Sequence, residues 1–437
     1  MDRSGNDGDD ADGAGASAAS PRKPLPPKAI AASALGNAMD YYDFAVYGFL
    51  APTIAPLFFP AEDHFTSVLA VYGAFAVGFL ARPIGGLVFG YFGDRFGRRQ
   101  LLMVTIAMMG FSSLAIGLLP TAASIGTLAG VLLVLLRLFQ GFALAGEGPG
   151  AMVFVAEGAP PHRRGFLCGI VIAGAQFGFL IGSGVAGIFL HVFTQDQLAD
   201  GLWRIPFILG IIPIGICFFL RRASFHEYEP KAVEGVPLLR DFRIHARSMV
   251  QIVGLTMPFA VTFYALFVYT VSYLIEIKHL PGAVTMDINT AALFTVMMVL
   301  PFAGMLSDKI GRRPVSMFGA LALFLSAYPL YTLITTGELP LILLGQLAIA
   351  VFLGMNEVVA ITMNELARPE ARVSVLALAF NVSMAVFGGT TPVIVTYLTQ
   401  RTGQDVIPAF YIMIAAAIGF AALLTVRETK GRPMGIR

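Results

Sequence analysis

The chain has 437 residues, of which 57% are hydrophobic and only 13% charged, with a mean hydropathy of +0.76 and a formal net charge of +2. Against the roughly 25% charge usual in soluble domains, this excludes water as the solvent for most of the surface and marks a polytopic membrane protein. So small a charge, spread among loops and not gathered into a stripe, also excludes a nucleic-acid partner.

Residues 1–27 are rich in Gly, Ala, Ser and Asp and have no apolar h-region, so they are expected as a disordered cytoplasmic tail and not a cleaved secretory signal. Beyond them, twelve apolar runs reach the roughly 20 residues that a helix needs to cross the hydrocarbon layer. They are 29–59, 66–92, 100–120, 125–157, 165–192, 203–220, 249–275, 287–306, 314–335, 340–364, 372–399 and 408–426. The loops after every second run hold most of the basic residues, including Arg95, Arg98, Arg99, Arg163, Arg164, Lys309, Arg312 and Arg313; the alternate loops hold Lys278 and Arg401. The positive-inside rule then places both termini in the cytoplasm, as expected for a multi-pass protein of a bacterial inner membrane. The longest interior connection, 221–248, separates six-span bundles at 28–220 and 249–426, with 427–437 as a second cytoplasmic tail.

The second run closes on a dense charged turn containing Gly90, Asp94, Arg95, Gly97, Arg98 and Arg99. A weaker copy with Asp308, Gly311, Arg312 and Arg313 closes the eighth. Glu147 and Glu157 ahead of Arg163 and Arg164 are likewise echoed by Glu357 and Glu365 ahead of Arg368 and Arg372. Two copies half a chain apart indicate an internal duplication. The fold expected is therefore all-α, with twelve transmembrane helices in two six-helix pseudo-repeat bundles. In such folds the solute site lies near the midplane between the repeats, and rocking of one against the other gives alternating access. Asp94 and Asp308, with the neighbouring Gly and Arg residues, are expected to lock the cytoplasmic face.

Charges inside a membrane are costly and so are functional candidates. Asp40 and Asp43 lie three apart on one helical face, roughly 16 to 21 Å from the inner end of their span at about 1.5 Å per residue. Arg137 on the fourth span lies at comparable depth, so an acid and a base can pair there, either as a proton switch or as a permanent ion pair. Asp43 is the preferred proton carrier, with Asp40 second. Arg82, beside Pro83 on the second span, suits bidentate binding of a carboxylate or an internal salt bridge. Glu147 and Glu357 face an ammonium or gate the inner mouth. Tyr42, Tyr47 and Tyr264 are candidates for an aromatic wall around a cation.

Gly174, Gly178 and Gly182, four residues apart, read as helix packing. Cys168 and Cys217 have no Cys or His at ligand spacing, so neither a metal nor another cofactor is implied. No Ser-His-Asp set or phosphate loop appears at useful spacing, which argues against an enzyme.

The turn from Gly90 to Arg99 resembles the signature loop of the major facilitator superfamily, and Arg137-Leu138-Phe139-Gln140-Gly141 resembles its fourth-helix motif. Within it, Leu35 to Phe44, Arg82 to Gly86, Trp203 to Phe207 and Arg427 to Pro433 resemble the metabolite:proton symporter family. Ala379 to Ser383 and Pro408 to Tyr411 look most like the proline/betaine:proton symporters. The resemblance implies proton-coupled symport of a small zwitterionic or carboxylate metabolite by a monomer, with a first-helix Asp facing a fourth-helix Arg as in related sugar porters. Symport of di- or tricarboxylates or aromatic acids such as shikimate is the alternative, and a non-transporting membrane sensor a remote one.

Overall fold

The computed structural model describes residues 27–96, 98–145, 148–212, 214–216, 238–367, 372–431 and 434. Side chains are described for these except at 27–29, 32, 39–40, 90–102, 149, 238–244 and 372–373. Every regular element among the described residues is helical. The expected tail before Pro27 and the stretch 217–237 lie outside the described residues.

Eight helices are long and apolar enough to cross a membrane, and they answer to the second, fifth and seventh to twelfth expected spans: His64–Phe89, Arg164–Val192, His245–Glu276, Gly282–Ile310, Arg312–Thr335, Leu339–Leu366, Ser374–Thr402 and Ile407–Thr425. The other four expected spans are helical but broken or shorter. The first is Pro27–Phe49 followed by Ala51–Phe58, the third is Arg98–Leu118 with only Met103–Leu118 as its apolar part, and the fourth is Leu128–Leu144 followed by Gly148–Gly158. The sixth bends between Gln195–Leu202 and Arg204–Ile216. Gly201 takes φ 137° at that bend, a conformation that only glycine adopts without strain. Together they form twelve membrane segments in two halves.

One boundary differs from expectation. The seventh helix begins at Leu238, within the segment expected as a connection up to 248, because after Pro237 no Pro or Gly interrupts the run until Gly254.

In lipid, apolar burial does not drive helices together; close backbone approach does. The fifth helix shows this most clearly, packed between the first and the eighth. A Cβ on Gly174 would lie 2.3 Å from the Ala34 carbonyl oxygen, and one on Gly178 would lie 2.1 Å from that of Ala38. The glycine ladder is therefore the seat of the first helix. The halves meet through the fifth and eighth spans and, in the exchanged positions of the repeat, the eleventh and second. Large apolar side chains such as Phe111, Phe302 and Leu325 remain exposed on the outside, where the hydrocarbon surrounds them.

The seventh and eleventh spans each contain a π-helical turn, Ala265–Tyr269 and Met384–Gly388. The second packs against the residue that precedes the first, since a Cβ on Gly388 would lie 3.0 Å from the Tyr264 ring. Such turns widen a helix by one residue and are common at functional sites.

Candidate solute-transport site

Asp308, in the last turn of the eighth span, reaches across to the other half. Its Oδ1 accepts the Gly165 N–H at 2.9 Å and its Oδ2 accepts the Phe166 N–H at 2.9 Å. These amides open the helix Arg164–Val192 and have no partner within it, so the carboxylate satisfies two orphan donors at the positive end of a helix dipole. Arg312 holds the same carboxylate at 2.7 Å. A second tie joins Arg164 to Glu365 at 2.8 Å, with both side chains only 3% exposed. The backbones also touch here, because a Cβ on Gly304 would lie 2.2 Å from the Gly165 carbonyl oxygen.

Beyond the twelfth span, Glu428 accepts the backbone N–H groups of Arg312 and Arg313 at 2.9 and 3.0 Å and so caps the ninth helix. Burial alone would push this carboxyl up. The backbone donors of Lys430, Arg312, Arg313 and Thr429 outweigh it and hold the group below the usual carboxylate range. Gly311, at φ 115°, makes the turn that brings these amides together.

The opposite face is tied as well. His64 meets Glu276 at 2.9 Å, joining the second and seventh spans, and His191 meets Asp287 at 3.0 Å, joining the fifth and eighth. The Tyr72 hydroxyl pairs with that of Ser272.

Between the two faces lies a cavity that is partly open to solvent. The first half lines it with Asn37, Tyr41, Gln176 and Phe179, and the second with Tyr264, Glu357, Asn364 and Phe380. The tenth span breaks between Leu339–Asn356 and Val359–Leu366, and Glu357 sits at the break, where an interrupted helix borders a cavity. Its carboxylate accepts from Gln176 Nε2 at 3.3 and 3.4 Å and makes no ion pair among the described residues. Tyr41 and Phe179 stack obliquely at 5.5 Å between centroids, and Tyr264 stands edge-on to Phe179 at 6.4 Å. An acid that shares a cavity wall with aromatic rings has the chemistry to receive an organic cation.

Asp43 is fully buried in the first half. Its Oδ1 accepts from Ser113 Oγ at 2.6 Å, and its Oδ2 has no hydrogen-bond partner. Gly210 is close enough that a Cβ there would lie 2.7 Å from Oδ1. Arg137 does not close an ion pair with Asp43: its guanidinium lies over the Tyr47 ring at 3.6 Å, and none of its three nitrogens finds an acceptor. The ring takes the place that sequence depth alone assigned to the acid.

Arg82 donates from Nε to Asn381 Oδ1 at 3.0 Å, and Asn381 passes a bond on to the Ala145 carbonyl at 3.2 Å. This chain links the halves directly behind Phe380. Arg82 NH1 is buried without a partner.

Of the expected solute residues, Tyr264 and Glu357 reach the cavity. Tyr42 and Tyr47 do not, because their hydroxyls are taken by the carbonyls of Pro206 at 2.8 Å and Val71 at 3.0 Å. Arg82 is not among the lining residues and bonds to Asn381, next in sequence to the lining Phe380. Glu147 and Gly97 lie outside the described residues, as do the side chains of Asp40, Asp94, Arg95, Arg98 and Arg99; Gly90 lies in the described helix Arg82–Phe96. Asn37, Tyr41, Gln176 and Asn364 were not singled out by sequence reasoning. Gln176 had a signal, since an amide within an apolar membrane run needs a hydrogen-bond partner on a neighbouring helix.

Two pseudo-equivalent helix bundles around a central cavity, tied to each other on both faces, define a membrane transporter. The profile of the Major Facilitator Superfamily matches residues 33–300, and that of the Sugar (and other) transporter family matches 222–435. A proline/betaine transporter of Salmonella typhimurium is 37% identical over 93% of this chain and 84% of its own. A glycine betaine/proline/ectoine/pipecolic acid transporter of Dickeya dadantii is 36% identical over 93% and 84%, and an ectoine/proline transporter of Corynebacterium glutamicum 36% over 94% and 86%. The structure of the proton:xylose symporter XylE superposes with a TM-score of 0.74 at 18% identity, covering 93% of this chain and 97% of that one. The chain belongs to the major facilitator superfamily.

Proposed function

We propose that the protein is a proton-coupled symporter of a small zwitterion of the proline/betaine type, working by alternating access in a bacterial inner membrane with both termini in the cytoplasm. The observation that carries this reading is Glu357: a carboxylate on the wall of the inter-half cavity, among aromatic rings, without an ion-pair partner among the described residues. A solute with a cationic nitrogen completes it, whereas a tricarboxylate meets a like charge. The names of the relatives support the same class of solute.

Arg82, whose buried NH1 has no hydrogen-bond partner, is the donor assigned to the solute carboxylate. Asp43 carries the proton, since one of its oxygens is unpartnered and an unpaired Arg137 shares its compartment. Asp308 and the Arg164–Glu365 pair hold the cytoplasmic face shut and part when it opens. Uptake of labelled proline and glycine betaine into proteoliposomes under an imposed inward proton gradient tests the reading. Saturable uptake that collapses with a protonophore is expected; proton-driven uptake of citrate, with none of either zwitterion, overturns it.

A further inference from the structure

The Gln176–Glu357 contact is the only hydrogen bond among the described residues that crosses between the halves with both side chains lining the cavity. Gln176 comes from the fifth span and Glu357 from the break in the tenth. The donor is one nitrogen shared between both carboxylate oxygens, at 3.3 and 3.4 Å, which is long for a charge-assisted bond. The amide oxygen of Gln176 is buried without a partner. So the pair is a weak, neutral answer to a buried charge, one that a better donor displaces.

A symporter passes through its closed form twice per cycle, once with solute and once without. A carboxylate shut into an apolar chamber needs a donor on both passages, because an unpaired buried charge costs several kcal/mol. On the reading above, the cationic nitrogen of the solute supplies it on the loaded passage. We propose that Gln176 is the stand-in on the unloaded one: its amide takes the place of the cation on Glu357, lets the halves close on the unloaded site, and yields when solute arrives. Gln176 thereby governs the return step and not solute recognition. This inference rests on the zwitterion symport proposed above.

Net uptake requires the unloaded return, whereas counterflow, the exchange of labelled for unlabelled solute at saturating concentration on both sides, does not. The test measures both in proteoliposomes of the full chain for wild type, Gln176→Leu and Gln176→Asn, with labelled proline and glycine betaine. Gln176→Leu is expected to lower net proton-driven uptake by roughly tenfold or more, the weight of a hydrogen bond to a charge, and to lower counterflow far less, so that the ratio of net uptake to counterflow falls. Gln176→Asn, which keeps the amide on a shorter stem, is expected to recover part of the net rate. Retained counterflow also shows that the variant is folded. Equal loss of both activities would make Gln176 a solute ligand or a structural residue, and unchanged net uptake would show that Glu357 needs no stand-in; either result overturns the inference while leaving the symport reading intact. Wild-type protein that exchanges neither solute overturns the symport reading and this inference with it.

Discussion

Arg137 rests on Tyr47: the guanidinium carbon lies 3.6 Å from the ring centroid, and no nitrogen of the group has a hydrogen-bond acceptor. A buried cation held by ring faces, Tyr47 here and Phe44 at 5.8 Å, is poised toward any anion that forms nearby, and Asp43, which has an unpartnered oxygen of its own, is the acid proposed for that part. The attraction of a desolvated cation to an aromatic face is about 2 kcal/mol. Tyr47→Phe keeps the face and loses one bond to the Val71 carbonyl, so it is expected to transport. Tyr47→Leu loses the face, and the thermal midpoint in detergent is expected to fall with transport; a Leu variant as stable and active as the Phe variant would remove the ring from the account.

Replacing Asp43 by Asn fixes the site in a neutral form while leaving an acceptor for Ser113. Accumulation driven by a pH gradient is expected to disappear and counterflow to persist, since exchange releases no net proton. Loss of both in proteoliposome assays would make Asp43 structural.

Asp308→Ala removes two hydrogen bonds to a charge, each worth about 1.5–3 kcal/mol, from the closed face where the eighth span meets the fifth. The uptake rate is expected to fall at least tenfold, with an unchanged elution profile in size-exclusion chromatography. A wild-type rate would show that the face closes without this cap.

Arg82→Lys retains the charge but not the fork that reaches Asn381 from Nε and leaves NH1 free. A strong rise in KM for the zwitterion is expected, with a smaller rise for Asn381→Ala, which leaves the guanidinium in place. Equal KM values for wild type and Arg82→Lys would take Arg82 out of the binding site.

The Glu428 cap is sensitive to pH. Its carboxyl is held below the ordinary value in the folded protein, so the stability it adds is present above the unfolded value, near 4.3, and is lost as the pH falls through the lower folded value. Glu428→Gln is expected to lower the thermal midpoint at pH 7, and the gap from wild type to close below about pH 4. A gap that persists in acid would mean that the carboxylate charge is not what caps the ninth helix.

How much of this was legible in the chain depends on what each feature rests on. The spans show because lipid demands long apolar runs, and the Asp308 turn shows because charge crowded into so few residues is conspicuous. The π-helical turns at Ala265–Tyr269 and Met384–Gly388 do not show, since no residue type marks them and their single extra residue arises from packing. Tyr42 and Tyr47 stood near Asp43 in sequence and so read as cavity wall; which way a phenol points is decided by carbonyls more than twenty positions away, Pro206 and Val71. Gln176 is the reverse case. Its importance lies in a partner 181 residues distant, and a neutral amide in an apolar run leaves little trace in composition.

The Asp308 cap gives the backbone of the fifth helix a clock. The amide protons of Gly165 and Phe166 are bonded to a carboxylate from the other half and to nothing in their own helix, so they meet water only when the halves separate on that side. Deuterium uptake at these two residues therefore counts openings of that face directly, in the unlabelled wild-type chain, with or without solute moving through it.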